Sequence, residues 1–166
     1  MDTDNYIVIN GKKAELTEEQ LKALGIEVSK KSVFDRVSEK DTYYYIDLAG
    51  NVCETKDLGF GSADNYYAVA NYCTDKALME QRVLHETLDR LLWRFSMEHD
   101  GDKIDWNSRS QWKFYIKYAH IDGIHYVRAT LLAQGFKPYF HTREIAGQAI
   151  EEIIKPFMAE HPEFRW

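Results

Sequence analysis

The chain contains two segments that share one pattern of aromatic strands, turns and an amphipathic helix. The first runs from Tyr44-Tyr45-Ile46 to Tyr72-Cys73-Thr74, and the second from Phe114-Tyr115-Ile116 to Phe140-His141-Thr142. The spacing is 28 residues from Ile46 to Thr74 and 26 residues from Ile116 to Thr142, so a small length difference in one loop reconciles the copies. A duplicated pattern restricts the fold to two similar units, each of which must bury an apolar face.

Three strands and one helix are expected in each copy. The predicted strands alternate aromatic or β-branched residues between turn residues, and they are 43–48, 51–55 and 66–72 in copy one, and 113–119, 124–131 and 136–140 in copy two. The Gly-Phe-Gly-Ser segment at 59–62 is expected to be a loop from which no helix starts. Thr74 and Thr142 are expected to cap the helices, and Pro156 to kink or end the second one.

Both predicted helices carry an apolar stripe at helical spacing. The stripe is Leu84, Leu88, Leu91, Leu92 and Phe95 in the first helix, and Ile145, Ala149, Ile150, Ile153 and Ile154 in the second. Residues before the copies predict a hairpin with an Asn10-Gly11 turn, followed by a short helix with a Thr17–Gln20 capping box and a stop at Gly25.

The predicted fold is therefore an α+β domain of two tandem βββα units, with helices packed on antiparallel sheet, preceded by a β-hairpin and a short helix. We expect a hairpin–helix appendage at residues 1–32 and a duplicated domain at 33–166, with copy one at 41–100 and copy two at 111–160. Period-two alternation predicts which strand faces are buried. The expected buried residues are Tyr44, Ile46 and Leu48 in copy one, and Phe114, Ile116 and Tyr118 in copy two.

Charge is distributed unevenly along the chain. Residues 103–143 hold seven basic and two acidic side chains, whereas residues 1–102 hold 12 basic and 20 acidic ones. The net charge of −6 disfavours a general nucleic-acid binder, since such proteins need a cationic surface.

Three features of the sequence bear on the location of the protein. No run approaches the roughly 18 apolar residues of a membrane span, the N-terminus is acidic and the two cysteines have no CxxC spacing. We therefore expect a cytoplasmic protein that does not bind a membrane.

Catalytic and metal-binding patterns are sparse. His85 and Asp89 have the i, i+4 spacing of two metal ligands on a helix, but the second His of the zincin pattern is absent. We therefore expect no catalytic residue, no metal site and no cofactor, and a protein that is not an enzyme.

Two surfaces are candidates for binding a protein. Met79, Trp93 and Met97 fall opposite the Leu84 stripe on the long helix, where either another part of the chain, a second copy of it or a target protein covers them. Asp47, Glu54 and Asp57 are expected to form an acidic surface that competes for a basic groove on a target.

The second copy offers an alternative, because aromatic and basic residues alternate along its strands. Lys113, Tyr115, Lys117, Tyr126 and Arg128 are expected to share one sheet face. Stacking rings combined with positive charge are the chemistry that binds nucleotides or single-stranded nucleic acid.

Several motifs are similar to those of small phage and prophage proteins of Firmicutes whose function is unknown. They are the Tyr6 to Lys13 opening, Leu16 to Gln20, Phe34 to Val37, Tyr43 to Ile46, Asn71 to Thr74 and the Arg94-Phe95 helix end. The resemblance spans most of the chain and implies a context in a bacterial host cell. It implies a non-catalytic accessory protein that binds and inhibits a host defence protein, as anti-CRISPR proteins do, with a target that itself binds nucleic acid.

Overall fold

The computed structural model describes residues 6–9, 12–25, 32–132 and 138–166. The chain has an α+β fold, and its described strands pair in three separate two-stranded antiparallel sheets. It divides into two compact units, Met1–Met79 and Glu80–Trp166. The predicted domain limits at residues 32 and 33 stay a prediction.

The first unit opens with the predicted hairpin and short helix. Strands β1 (Tyr6–Ile9) and β2 (Lys12–Glu15) pair with Ile9 opposite Lys12, and the Asn10-Gly11 turn lies outside the described residues. Helix α1 (Glu18–Ala23) has the predicted capping box, because the Thr17 N–H donates to the Gln20 side chain at 2.8 Å and the Gln20 N–H to Thr17 Oγ1 at 3.3 Å. Gly25 follows with φ +71°, a conformation that ends helices.

Strands β3 (Thr42–Ile46) and β4 (Val52–Lys56) form the predicted second hairpin, with Tyr44 opposite Glu54. The predicted third strand at 66–72 is wrong. Ser62–Ala68 forms a helix, α2, which begins after Gly61 at φ +76°, so a helix does start in the Gly-Phe-Gly-Ser segment. Tyrosine-rich segments form strands only where their side chains can pack on the pleated surface of a sheet. Here the segment is helical instead, and Tyr66 of α2 packs on Tyr45 of β3.

The packing of α2 buries Tyr43, which lies on the face of β3 opposite the predicted buried one. Tyr43 is 1% exposed and stacks on Tyr72 with ring centroids 4.2 Å apart, and Tyr45 stacks on Tyr66 at 4.1 Å. Leu48, predicted to be buried, is fully exposed. The aromatic residues of α2 and Tyr72 cover Tyr43, while Tyr44, Tyr45 and Ile46 are all partly buried, so burial along β3 does not follow the predicted alternation.

Each unit retains one contact in place of its predicted third strand. Tyr44 and Cys73 exchange backbone hydrogen bonds of 2.7 and 3.0 Å, and Phe114 and Phe140 exchange bonds of 3.1 and 2.8 Å. Residues 136 and 137 of the other predicted third strand lie outside the described residues.

The caps of the two following helices differ from each other. The predicted cap Thr142 is confirmed, since it accepts from the Ile145 N–H at 3.2 Å. Thr74 is not a cap, because its hydroxyl donates to the Val33 carbonyl. The side chain of Asp75 accepts from the Leu78 N–H at 3.1 Å and caps α3 (Lys76–Glu98) instead.

The second unit contains α3 from Glu80 onward and the predicted third hairpin. Strand β5 (Lys113–Ala119) pairs with β6 (Ile124–Thr130), and a short 3-10 helix at Gly101–Lys103 precedes them. The core is one cluster that joins the α3 stripe, the inner face of β5 and the last helices. Its buried members include Leu88, Leu92, Phe95, Ile116, Phe140, Ala149, Ile154 and Phe157. Each large side chain among them contributes about 1.5–3 kcal/mol.

The last helical segment passes through Pro156. Helix α4 (Arg143–Ala149) continues as a π-helical turn at Ile150–Ile154 and then as α5 (Lys155–Glu160). The wider turn accommodates a proline, which lacks the N–H for a regular helical bond. Pro156 therefore distorts the helix without ending it. Across the described ranges, none of the helices combines the length and the apolar character that crossing a bilayer requires.

Candidate functional site

Asp57 does not lie on an acidic surface, contrary to the prediction. It is 1% exposed, and its carboxylate accepts from Arg36 at 2.9 and 3.0 Å, from the Tyr72 hydroxyl at 3.1 Å and from the Gly59 N–H at 2.7 Å. Hydrogen bonds from Arg36 lower the pKa of Asp57, although burial opposes them. Burial, together with the bond to Asp57, raises the pKa of Tyr72 to about 12. This network joins the segment before β3, the end of the β3–β4 hairpin and Tyr72.

The other two acidic residues occupy different environments. Asp47 accepts from the Ala49 N–H at 2.9 Å and the Asn51 N–H at 2.8 Å, and these bonds, led by those from Asn51, lower its pKa. Its carboxylate thus stabilises the turn between β3 and β4. Glu54 is exposed on β4. The structure does not bring Asp47, Glu54 and Asp57 together as one acidic surface.

The predicted apolar face of α3 is also divided. Met79 is 1% exposed and therefore unavailable to a partner, while Trp93 and Met97 are 60% and 42% exposed. Trp93 and Met97 both line an open groove of about 600 Å³ in the second unit. We name this the Trp groove. Its other principal lining residues are Asp89, Arg90, Asp102, Ile104, Trp106 and Tyr139.

One wall of the Trp groove comes from helical spacing alone. Asp89, Trp93 and Met97 are four residues apart on α3, so they lie along one face of the helix. Trp106, 50% exposed, belongs to a second part of the lining, a second wall that the chain forms after it leaves α3.

A close backbone contact directs the chain into that second wall. A Cβ on Gly101 would lie 2.6 Å from the Ser96 carbonyl oxygen, so only glycine fits there without displacement. The Ser96 hydroxyl donates to the Tyr139 carbonyl and holds Tyr139 beside α3.

Gln111 and Lys113 fix the loop that carries Trp106. The Gln111 side chain accepts from the Asp105 N–H at 2.6 Å and donates to the Lys103 carbonyl at 3.0 Å. Lys113 is 0% exposed, and its ammonium donates to the carbonyls of Ser108 at 3.1 Å and Gln111 at 3.3 Å. The prediction that Lys113 presents its charge to a ligand is therefore wrong, because the loop carbonyls bind that charge.

The remaining four residues of the alternative site do share one face of the β5–β6 hairpin. Tyr115 lies opposite Arg128, and Lys117 opposite Tyr126. Lys117 lies 5.8 Å from the Tyr115 ring centroid and Arg128 lies 5.2 Å from that of Tyr126, both within cation–π range. We name these four residues the sheet face. The rings are partly buried and the two cations are exposed.

Tyr139 connects the Trp groove to the sheet face. Its ring meets Trp106 edge-on with centroids 5.3 Å apart and lies 5.7 Å from Tyr115. The two surfaces are therefore neighbours: the Trp groove is lined by two carboxylates and one arginine, and the charged side chains of the sheet face are both cations.

The hypothetical metal ligands, His85 and Asp89, line a second cavity. This space of about 380 Å³ lies beside β5, and His120 and Trp166 also line it. In the part of the chain that the structure describes, no three His, Cys, Asp or Glu side chains come together as a metal site.

No protein-family model matches this chain, and no curated protein or solved structure matches it significantly. The site is therefore interpreted from its own residues. Sequence reasoning missed Asp102, Trp106 and Tyr139 as site residues. Asp102 and Trp106 lie at least four residues beyond the end of α3 and show no helical or strand periodicity, whereas Tyr139 was expected only as a member of the predicted strand 136–140. The only available signal was Trp106 itself, a tryptophan in a polar segment.

Proposed function

We propose that this protein is a non-catalytic binding protein whose contact surface is the Trp groove. It acts as a phage-type accessory protein in the cytoplasm of a bacterial host, where it binds and inhibits a defence protein. The observation that carries the proposal is the exposure of two tryptophans and a methionine around one groove. Tryptophan, tyrosine and methionine are enriched in protein interfaces, and tryptophan often dominates the binding energy.

The placement of the groove residues supports binding over packing. Trp93 is 60% exposed although it follows Leu92, which is 5% exposed in the core, so α3 has one face for the fold and one for solvent. Resemblance to phage proteins supports the inhibitory role and the bacterial partner. The proposed contact surface does not include Asp47, Glu54 and Asp57, because Asp47 and Asp57 form hydrogen bonds within the first unit.

Affinity capture from a Firmicutes lysate tests the proposal, followed by calorimetry with the purified target. Trp93→Ala should weaken binding to that target at least tenfold, because central interface tryptophans cost 2 kcal/mol or more on truncation. Trp112→Ala is the matched control, since Trp112 is 53% exposed but does not line the groove. Equal affinity for the Trp93 variant and the wild type would refute the groove as the contact surface. Size-exclusion chromatography of the pure protein tests whether the partner is instead a second copy of this chain.

Tandem duplication of a βββα-like unit, with each third strand reduced to a single bridge, is a further part of the proposal. Antiparallel contacts between Tyr44 and Cys73 and between Phe114 and Phe140 support it. In both units the helix cap follows the second contact residue by two positions, as Asp75 and as Thr142. This equivalence shifts the sequence alignment by one residue, pairing Cys73 with Phe140. Internal alignment of related sequences tests it, and it fails if they pair Thr74 with Thr142 consistently.

A second candidate function is binding of a nucleotide or single-stranded nucleic acid by the sheet face. The paired rings and cations of Tyr115, Lys117, Tyr126 and Arg128 favour it. Oligonucleotides should raise the melting temperature, and the Lys117→Ala, Arg128→Ala double variant should abolish that shift. The same shift in the double variant would exclude this face.

A further inference from the structure

We propose that the Trp groove accepts the guanidinium group of an arginine from a basic segment of the partner protein. This inference rests on the proposed function, in which the groove is the contact surface, and it specifies the chemistry of that contact.

The aromatic walls suit a flat cation. Trp93 and Trp106, 60% and 50% exposed, line one groove beside the buried Tyr139, and tryptophan offers the strongest cation–π interaction of the aromatic side chains. The guanidinium of arginine is planar and weakly hydrated, so it stacks on such rings at a lower desolvation cost than an ammonium group. Met97 and Ile104 provide apolar lining for the methylene part of the arginine side chain.

The charges in the lining also favour a cation. Asp89 and Asp102 contribute two carboxylates. Arg90 contributes a cation, but its guanidinium already lies 3.8 Å from the Glu86 carboxylate and 3.3 Å from the Thr87 hydroxyl. Carboxylates bind guanidinium through charge-assisted hydrogen bonds. The same two carboxylates repel phosphate, so the groove disfavours a nucleic-acid strand.

The volume of about 600 Å³ lies within the range of pockets that bind small ligands, roughly 300–1,000 Å³. One arginine side chain and part of its neighbours in an extended segment therefore fit. A defence protein that binds nucleic acid would supply such a segment from its own basic groove, and its occupation by this protein would block that groove.

Nuclear magnetic resonance of the tryptophan indole N–H groups tests the inference with defined probes. The probes are a glycine–arginine peptide, its citrulline analogue and a thymidine oligonucleotide. Citrulline replaces the charged guanidinium by a neutral urea of nearly the same shape. We expect the arginine peptide to shift the Trp93 and Trp106 signals while Trp112 stays unchanged, and the citrulline peptide to shift neither. Equal shifts with citrulline, or shifts only with the oligonucleotide, would overturn the inference, as would no shift with any probe.

Variants connect the shifts to the named residues. Trp93→Ala should reduce the affinity for the arginine peptide about two- to fivefold, the fold-change expected for one exposed cation–π contact. Asp102→Asn should weaken it by a similar factor at low salt and by less at high salt, because exposed ion pairs are screened. Trp112→Ala should change nothing. Unchanged affinity in both groove variants contradicts the inference.

The two proposals fail in different ways. If the purified target depends on Trp93 but the arginine peptide does not bind, the groove is a protein contact of another chemistry and only this inference fails. If the peptide binds at Trp93 while the target binds a groove variant unchanged, the arginine site stands and the proposed function fails.

Discussion

Asp57→Asn should destabilise the first unit far more than its small change in shape suggests. The wild-type carboxylate accepts four hydrogen bonds, two of them from the Arg36 guanidinium. In the variant one oxygen becomes an NH₂ group, which then faces the donors of Arg36 and Tyr72. The substitution therefore removes a bidentate ion pair and places donor against donor in a buried site.

The expected loss follows from the burial of each partner. Removing one member of a fully buried ion pair costs about 3–5 kcal/mol. The Arg36 side chain is 32% exposed and also binds Asp64, so water and a second carboxylate compensate part of the loss. We expect a decrease of about 2–4 kcal/mol in the free energy of unfolding. Asp64→Asn, a control on the same arginine at a side chain that is 50% exposed, should cost less than about 1 kcal/mol.

Urea unfolding followed by far-ultraviolet circular dichroism measures the two losses. Tryptophan fluorescence separately reports the second unit, because all four tryptophans lie in Glu80–Trp166. The pKa of Asp57 is lowered from its ordinary value of 3.8, so its contribution is present above pH 3.8 and is lost as the pH falls below it. A loss in Asp57→Asn no larger than in Asp64→Asn at pH 7 would refute the reasoning, as would a difference that persists fully at pH 2.

Four further variants test three local arguments. Gly101→Ala should lower the free energy of unfolding in urea by about 1–3 kcal/mol, because the added Cβ meets backbone at 2.6 Å. Gly147→Ala, with nothing within 4 Å of the added Cβ, should raise it by about 0.5–1 kcal/mol, because alanine is the better helix former. The reverse order would contradict both expectations. Lys113→Met should speed amide exchange at residues 108–111, and unchanged exchange would exclude its bracing role. Burial, with Lys155 nearby, lowers the pKa of His125 below 6.5, so the free energy of unfolding should decline as the pH falls below 6.5. His125→Gln should reduce this pH dependence. An equal dependence in the variant and the wild type would assign the effect to another group.

Elements that depend on local sequence were predicted well. The Thr17–Gln20 capping box, the Thr142 cap and the hairpins at β3–β4 and β5–β6 all form where expected. Their signals lie within a few residues of the structure that they specify, so neighbouring residues determine them. The α3 stripe was predictable for the same reason, since helical spacing alone selects its buried face.

Predictions that needed a distant partner failed. The faces of β3 depend on whether α2 or solvent covers Tyr43, and the sequence of β3 contains no information about that choice. Lys113 was expected on the exposed sheet face because strand alternation places it with Tyr115 and Lys117, yet the carbonyls of Ser108 and Gln111 bind its ammonium. The second wall of the Trp groove was missed for the same reason, because Trp106 and Tyr139 meet only in the folded chain.

The acidic residues show how the two kinds of information combine. Asp47 precedes Ala49, Gly50 and Asn51, a turn sequence in which a carboxylate commonly accepts backbone N–H bonds, and Asp57 stands two residues before Gly59, whose N–H it binds. Local sequence therefore already indicated that the fold uses both carboxylates. A charged side chain is more suited to contact a partner protein when no turn follows it and an exposed aromatic residue lies on the same face of its helix. Asp89 is such a residue, because Trp93 follows it by four positions on α3.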